Sequence, residues 1–160
     1  MRYRLFVFDL DETLWTVQQK SLEPLRGPFR RVGTHDVESS SALVSLFPGV
    51  RALLRNLERK HKFISLASRS DAAVCEELLT LFEIRHHFRY PQYGWQEKGT
   101  AVLNILKAFR DLDQEQIDPR DTLFVDDYPA NIDEVRNVGA ATLLFGRDVC
   151  SIQELAAMLQ

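Results

Sequence analysis

The sequence predicts an α/β fold: a doubly wound, mostly parallel sheet with helices on both faces. Three observations predict it. Short apolar runs alternate with segments of helical periodicity along most of the chain, the signature of linked βαβ units. No internal repeat or low-complexity tract interrupts that rhythm. The chain has 160 residues, of which 45% are hydrophobic and 27% charged, enough to build one core and too apolar for intrinsic disorder. A single domain over residues 1–160 is expected from that length.

Arg4–Phe8 is a continuous apolar run of the buried-strand type. Val50, Leu53, Leu54 and Leu57 recur at helical spacing, after Pro48-Gly49 and before the basic stretch Arg59–Lys62. Phe63–Ala67 reads as a second strand. Val74, Leu78 and Leu81 mark a second helix, opened by Ser70 or Asp71 as N-cap. His87–Tyr90 reads as a short third strand. Val102, Ile105, Leu106 and Phe109 mark a third helix, and Thr122–Val125 a strand after it. Pro129 suits the first turn of a further helix that Gly139 ends. Ala141–Phe145 is the last strand, and Ser151 with Glu154 forms a capping box for a final helix. One segment, Trp15–Phe47, contains Pro24, Gly27, Pro28 and Gly33 and shows no helical pattern. Its extended stretches Pro28–Val32 and Ala42–Phe47 suggest a β-hairpin or ordered flap at 15–47, the size of segment that in a compact domain is usually functional.

Composition excludes several classes. With 20 Lys and Arg against 23 Asp and Glu, the net charge is −3, so the broad basic surface of a nucleic-acid binder is not expected. No apolar run approaches the roughly 18 residues of a membrane span. Asp9, Asp11 and Glu12 interrupt the apolar N-terminal stretch, so it is not read as a secretory signal. The only cysteines, Cys75 and Cys150, are far apart, which argues against a disulfide framework or thiolate zinc site and fits a reducing, cytoplasmic setting.

In open α/β sheets, ligands bind beyond the carboxyl ends of the strands. Here the first strand candidate is followed by Asp9, Leu10, Asp11, Glu12 and Thr13; the second by Ser68, Arg69 and Ser70; and Thr122–Val125 by Asp126 and Asp127. Asp9 and Asp11, two apart at a strand end, project the same way if the chain stays extended. Four carboxylates on one rim repel one another without a partner. A divalent cation resolves this, and all-oxygen ligands suit Mg2+.

The stretch Phe8-Asp9-Leu10-Asp11-Glu12-Thr13-Leu14, followed by Ser68, Lys98 and Asp126-Asp127 in order, resembles the four motifs of the haloacid dehalogenase (HAD) superfamily of hydrolases. Residues around Leu46-Phe47-Pro48, Ala67–Ser70, Tyr90-Pro91 and Phe124–Asp127 are further similar to its magnesium-dependent phosphatase branch, subfamily IIIC. The resemblance implies a Rossmann-like fold with a minimal cap made by the flap, and a phosphatase acting on phosphate monoesters. Asp9 would be the nucleophile that becomes an aspartyl-phosphate, and Asp11 the general acid and then base. Asp9, the Asp11 carbonyl and Asp126 would hold Mg2+, with Asp127 behind them. Ser68 would bind phosphoryl oxygens, and Lys98 would offset their charge. The substrate would be a small phosphorylated molecule: a sugar phosphate, a glycated-amine phosphate or phosphotyrosine.

Other residues leave alternatives open. Arg69 is either a phosphate or substrate contact or a surface ion pair. Asn131 either assists the metal site through water or satisfies a helix start. Trp15 and Trp95 either line the site mouth or pack. His86 and His87, adjacent on an extended chain, would face opposite ways and so form no joint ligand pair. Competing functions are a catalytically weak HAD-like binding domain acting through the flap, and phosphoryl transfer to another acceptor. The first would be favoured by loss of nucleophile, acid or lysine, and none is lost.

Overall fold

The computed structural model describes residues 2–160. Its centre is a five-stranded parallel sheet built from β1 (Leu5–Phe8), β6 (Phe63–Ser68), β7 (Gln92–Tyr93), β8 (Thr122–Asp126) and β9 (Ala141–Leu144), in the spatial order β7-β6-β1-β8-β9. All four residues of β1 are buried, as expected for a central strand covered on both faces. Two apolar clusters fill the two sides. One gathers Phe6, Phe8, Leu66 and Val125 with Leu53, Leu54 and Leu57 of α1 (Val50–Arg59) and Leu78 and Leu79 of α2 (Ala72–Leu81). The other gathers Leu5, Val7 and Phe124 with Val102, Ile105 and Phe109 of α3 (Lys98–Asp113) and Ile132 and Val135 of α4 (Pro129–Arg136). The alternation of side chains along β1 thus divides one strand between two cores. The last helix, α5 (Ile152–Met158), is capped by Ser151, whose Oγ accepts from the Glu154 amide at 3.0 Å.

The segment after β1 forms a second sheet, four-stranded and antiparallel. Its strands are β2 (Trp15–Gln19), β3 (Arg30–Arg31), β4 (Asp36–Glu38) and β5 (Ala42–Leu46), ordered β2-β5-β4-β3. Val37 and Val44 of this sheet, with Phe29 just before β3, are buried in the first core cluster, and the Phe29 amide donates to Glu77 Oε1 of α2 at 2.9 Å. This sheet is therefore packed on the parallel one and is more than a surface hairpin.

Two local expectations are corrected. The third strand does not lie at His87–Tyr90. Arg85–His87 form a 3-10 turn, and the Arg89 amide makes one sheet-like bond to the Ile64 carbonyl at 2.8 Å. Tyr90 then adopts φ +56°, a left-handed turn, and parallel pairing starts only at Gln92 opposite Ala67. The same turn overturns the orientation assigned to His86 and His87. Their ring centroids lie 4.0 Å apart, and His87 Nδ1 sits 2.8 Å from Glu58 Oε1. Burial lowers the His87 pKa, against the opposing pull of the Glu58 carboxylate.

Candidate active site

Strand register places the site. Phe8 lies abreast of Leu66 on one side and Val125 on the other. The next residues, Asp9, Ala67 and Asp126, therefore emerge together at the carboxyl edge, and the Asp9 amide continues the ladder to the Val125 carbonyl at 2.9 Å. Beyond Asp9 the chain curls: the Leu14 amide donates to the Leu10 carbonyl at 2.9 Å, and Glu12 takes φ +60°. Within this curl Thr13 is fully buried, and its Oγ1 donates to Asp9 Oδ2 at 3.2 Å and lies 3.4 Å from Asp127 Oδ1.

Lys98 is the first residue of α3 and only 2% exposed. Its ammonium donates to Asp9 Oδ1 at 2.9 Å and to the Ala67 carbonyl at 2.5 Å, and lies 3.3 Å from Asp126 Oδ2. The following residue explains how α3 comes so close. A Cβ on Gly99 would meet the Glu134 carbonyl oxygen at 2.7 Å, so glycine is what lets α3 press on α4. Glu134 also accepts from the Lys98 amide at 2.6 Å, tying down the helix start.

Asp126 is held from two sides: Oδ1 accepts the Tyr128 amide at 2.9 Å and Oδ2 accepts Asn131 Nδ2 at 3.0 Å. Asn131 is fixed in turn by Arg69, whose Nη1 donates to its Oδ1 at 2.6 Å. The rest of that guanidinium binds the Glu134 carboxylate and, through Nε, the Gln96 carbonyl at 3.1 Å. Arg69 thus faces the Asn131–Asp126 pair with its donors engaged.

Carboxylate oxygens of Asp9, Asp126 and Asp127 lie within 4.8 Å of one another. Burial pushes the Asp9 carboxyl up to about 8, against the opposing pull of Lys98, and raises Asp126 for the same reason. One ammonium does not offset two buried carboxylates and a third beside them. A hard, all-oxygen donor set with surplus negative charge is what Mg2+ takes, so these residues fit that ion. The Asp11 carboxylate points elsewhere. Oδ1 accepts from the Trp15 indole Nε1 at 2.8 Å and Oδ2 from Ser70 Oγ at 3.0 Å. Asp11 therefore faces a cleft of about 730 Å³ between β2 and α2.

Ser68 closes β6 and is buried, its Oγ accepting from the Ser70 amide at 3.2 Å and contacted by Cys75 Sγ at 3.7 Å. The residues first read as N-cap alternatives divide the work: Asp71 caps α2 by accepting from the Val74 amide, and Ser70 turns to Asp11. Trp15 is fully buried yet reaches Asp11, whereas Trp95 is 90% exposed beside the cleft. Sequence reasoning missed Gly99 and Glu134 as parts of the site, placed Ser70 at the rim without its bond to Asp11, and left Arg69, Asn131 and Trp15 undecided. Only Gly99 carried a local signal, its place directly after the lysine.

The sequence model of the acid phosphatase family matches residues 2–155. No curated protein sequence matches the chain. Among solved structures, the fold is similar to that of a HAD-superfamily hydrolase from Ehrlichia chaffeensis. The TM-score is 0.73 at 12% identity, covering 99% of this chain and 96% of the other. It is also similar to a predicted phosphoglycolate phosphatase from Haemophilus somnus 129pt, with TM-score 0.72 at 13% identity, covering 100% of this chain and 99% of the other. At these identities the likeness concerns the fold: a Rossmann-like parallel sheet of the HAD type.

Proposed function

The chain belongs to the acid phosphatase family, and from that premise we propose that it is a magnesium-dependent phosphatase of the subfamily IIIC kind, acting on phosphate monoesters. The single observation that carries the reading is the convergence of Asp9, Lys98, Asp126 and Asp127 at one strand edge, with Asp11 two residues from Asp9 and turned toward an open cleft.

In this reading Asp9 Oδ2 attacks phosphorus and forms an aspartyl-phosphate while the ester oxygen departs. Asp11 protonates that oxygen and then takes a proton from the water that cleaves the acyl phosphate. Trp15 and Ser70 hold the Asp11 carboxylate in place for both steps. Lys98 keeps Asp9 aligned and balances charge on the phosphoryl oxygens, and Ser68 contributes a hydroxyl to them. Asp9, Asp126, Asp127 and the Asp11 carbonyl would hold Mg2+, which supplies positive charge against the phosphoryl group. Arg69, through Asn131, fixes the Asp126 carboxylate, a partner-of-ligand role that commonly governs metal affinity. The substrate is a small phosphorylated molecule. Among the described residues no helix is long and apolar enough to cross a membrane, and both cysteines are free thiols, which fits a cytoplasmic enzyme.

The test is phosphate release from p-nitrophenyl phosphate, with Mg2+ and after exhaustive chelation, for the wild type and Asp9→Asn. Turnover that needs Mg2+ and Asp9 is expected. Undiminished turnover in either the chelated wild type or a folded Asp9→Asn would overturn the proposal.

A further inference from the structure

The cleft beside Asp11 has a chemistry of its own. Its walls are apolar: Trp15 and Val17 of β2, Leu25 of the following loop, and Val74 and Leu78 of α2 all line it. Its volume of about 730 Å³ is in the range of pockets that enclose whole organic ligands and far exceeds what a phosphoryl group fills. Its charges are lopsided. Asp11, Glu12 and Asp71 line it as carboxylates, and Arg69 is the only cation among its lining residues. That guanidinium is already paired with Glu134 and bonded to Asn131. The exposed indole of Trp95 sits at the same cleft, 5.8 Å from the Arg69 Cζ.

Resting on the phosphatase reading above, we infer that this cleft receives the leaving group, and that it selects esters whose alcohol is apolar and aromatic or bulky, uncharged or cationic, against those carrying a second anion. The position follows from Asp11: the carboxylate that protonates the departing oxygen lines the cleft, so the rest of the alcohol extends into it. The apolar walls gain by covering hydrophobic surface. A second carboxylate or phosphate on the alcohol would approach the Glu12 and Asp71 carboxylates with no free cation to meet it, Asp11 being protonated for its role as acid.

The experiment uses the full chain with Mg2+ and three aryl esters: phenyl phosphate, 2-naphthyl phosphate and 4-carboxyphenyl phosphate. The carboxyl group makes its phenol the better leaving group, so intrinsic reactivity favours 4-carboxyphenyl phosphate. The expected result is the reverse, a kcat/KM at least about tenfold below that of phenyl phosphate, with 2-naphthyl phosphate showing a lower KM than either. Val74→Arg, which puts a cation on the wall, should shrink the gap between the phenyl and carboxyphenyl esters several-fold. Should that variant not fold, Leu25→Ala serves, and should raise KM for 2-naphthyl phosphate more than for phenyl phosphate. Turnover of all three esters with no discrimination against the carboxylate, or variants that leave the ratios between the esters unchanged, overturns the inference alone. No turnover of any ester overturns the phosphatase reading and this inference with it.

Discussion

Replacing Asp9 by Asn should destroy activity and yet stabilise the metal-free protein. Asp9 is 8% exposed and lies with Asp126 against a single ammonium. Burial moves its carboxyl from 3.8 to about 8, so the native state keeps it protonated near neutrality while the unfolded chain ionises it. At about 1.4 kcal/mol per pH unit, the interval from 3.8 to pH 7 corresponds to a cost on the order of 4 kcal/mol. Asn does not titrate and retains an oxygen for Lys98, but it weakens the pull on that ammonium. A net gain of about 1–3 kcal/mol is expected, or several degrees in Tm for a chain of this size. The sign with pH follows from the raised value. The native state binds the extra proton between pH 3.8 and about 8, so wild-type stability without metal falls as pH rises through that window. Asn should flatten this slope, and added Mg2+ should stabilise the wild type more than the variant. The assay is thermal unfolding at pH 5, 6, 7 and 8, in chelator and in Mg2+. A variant that melts below wild type in chelator at pH 7, or an unchanged pH slope, would refute the reasoning.

Three other outcomes are expected. Trp15→Phe removes the bond to Asp11 Oδ1 and should slow phenyl phosphate about tenfold while costing p-nitrophenyl phosphate much less, because only a poor leaving group needs the acid; equal losses would point to a packing effect. Arg69→Met frees Asn131 and should raise the Mg2+ concentration for half-maximal rate by roughly 10-fold or more, with kcat at saturating Mg2+ far less changed, as read from metal titrations. Burial pushes the Cys75 thiol up to about 12, so iodoacetamide at pH 8 should label exposed Cys150 and spare Cys75 in native protein, as peptide mass spectrometry would show.

The parallel sheet was readable because a buried strand writes itself as a continuous apolar run, as in Leu5–Phe8 and Leu123–Val125. The edge strand was not. Gln92–Tyr93 has two half-buried residues and no pattern, while the apolar look of His87–Tyr90 comes from Phe88 packing into the core from a turn. The antiparallel sheet was legible only as an extended segment, since β3 and β4 have two and three residues, β3 pairing only with β4 and β4 with β5. At the site, charged residues at strand ends carried the signal for Asp9, Asp126 and Asp127. Ser70 and Glu134 act through bonds to residues 59 and 36 positions away, a relation that no local pattern encodes.

The central claim is that Asp9 carries the phosphoryl group. Quenching the enzyme during turnover of an aryl phosphate, then reducing with borohydride, converts an acyl phosphate to the corresponding alcohol. Mass spectrometry of the peptide containing Asp9 should find homoserine at that position, dependent on substrate and on Mg2+, and absent from Asp9→Asn. Homoserine at another aspartate, or an unmodified Asp9 while phosphate is released at full rate by an intermediate trapped elsewhere, would contradict the account.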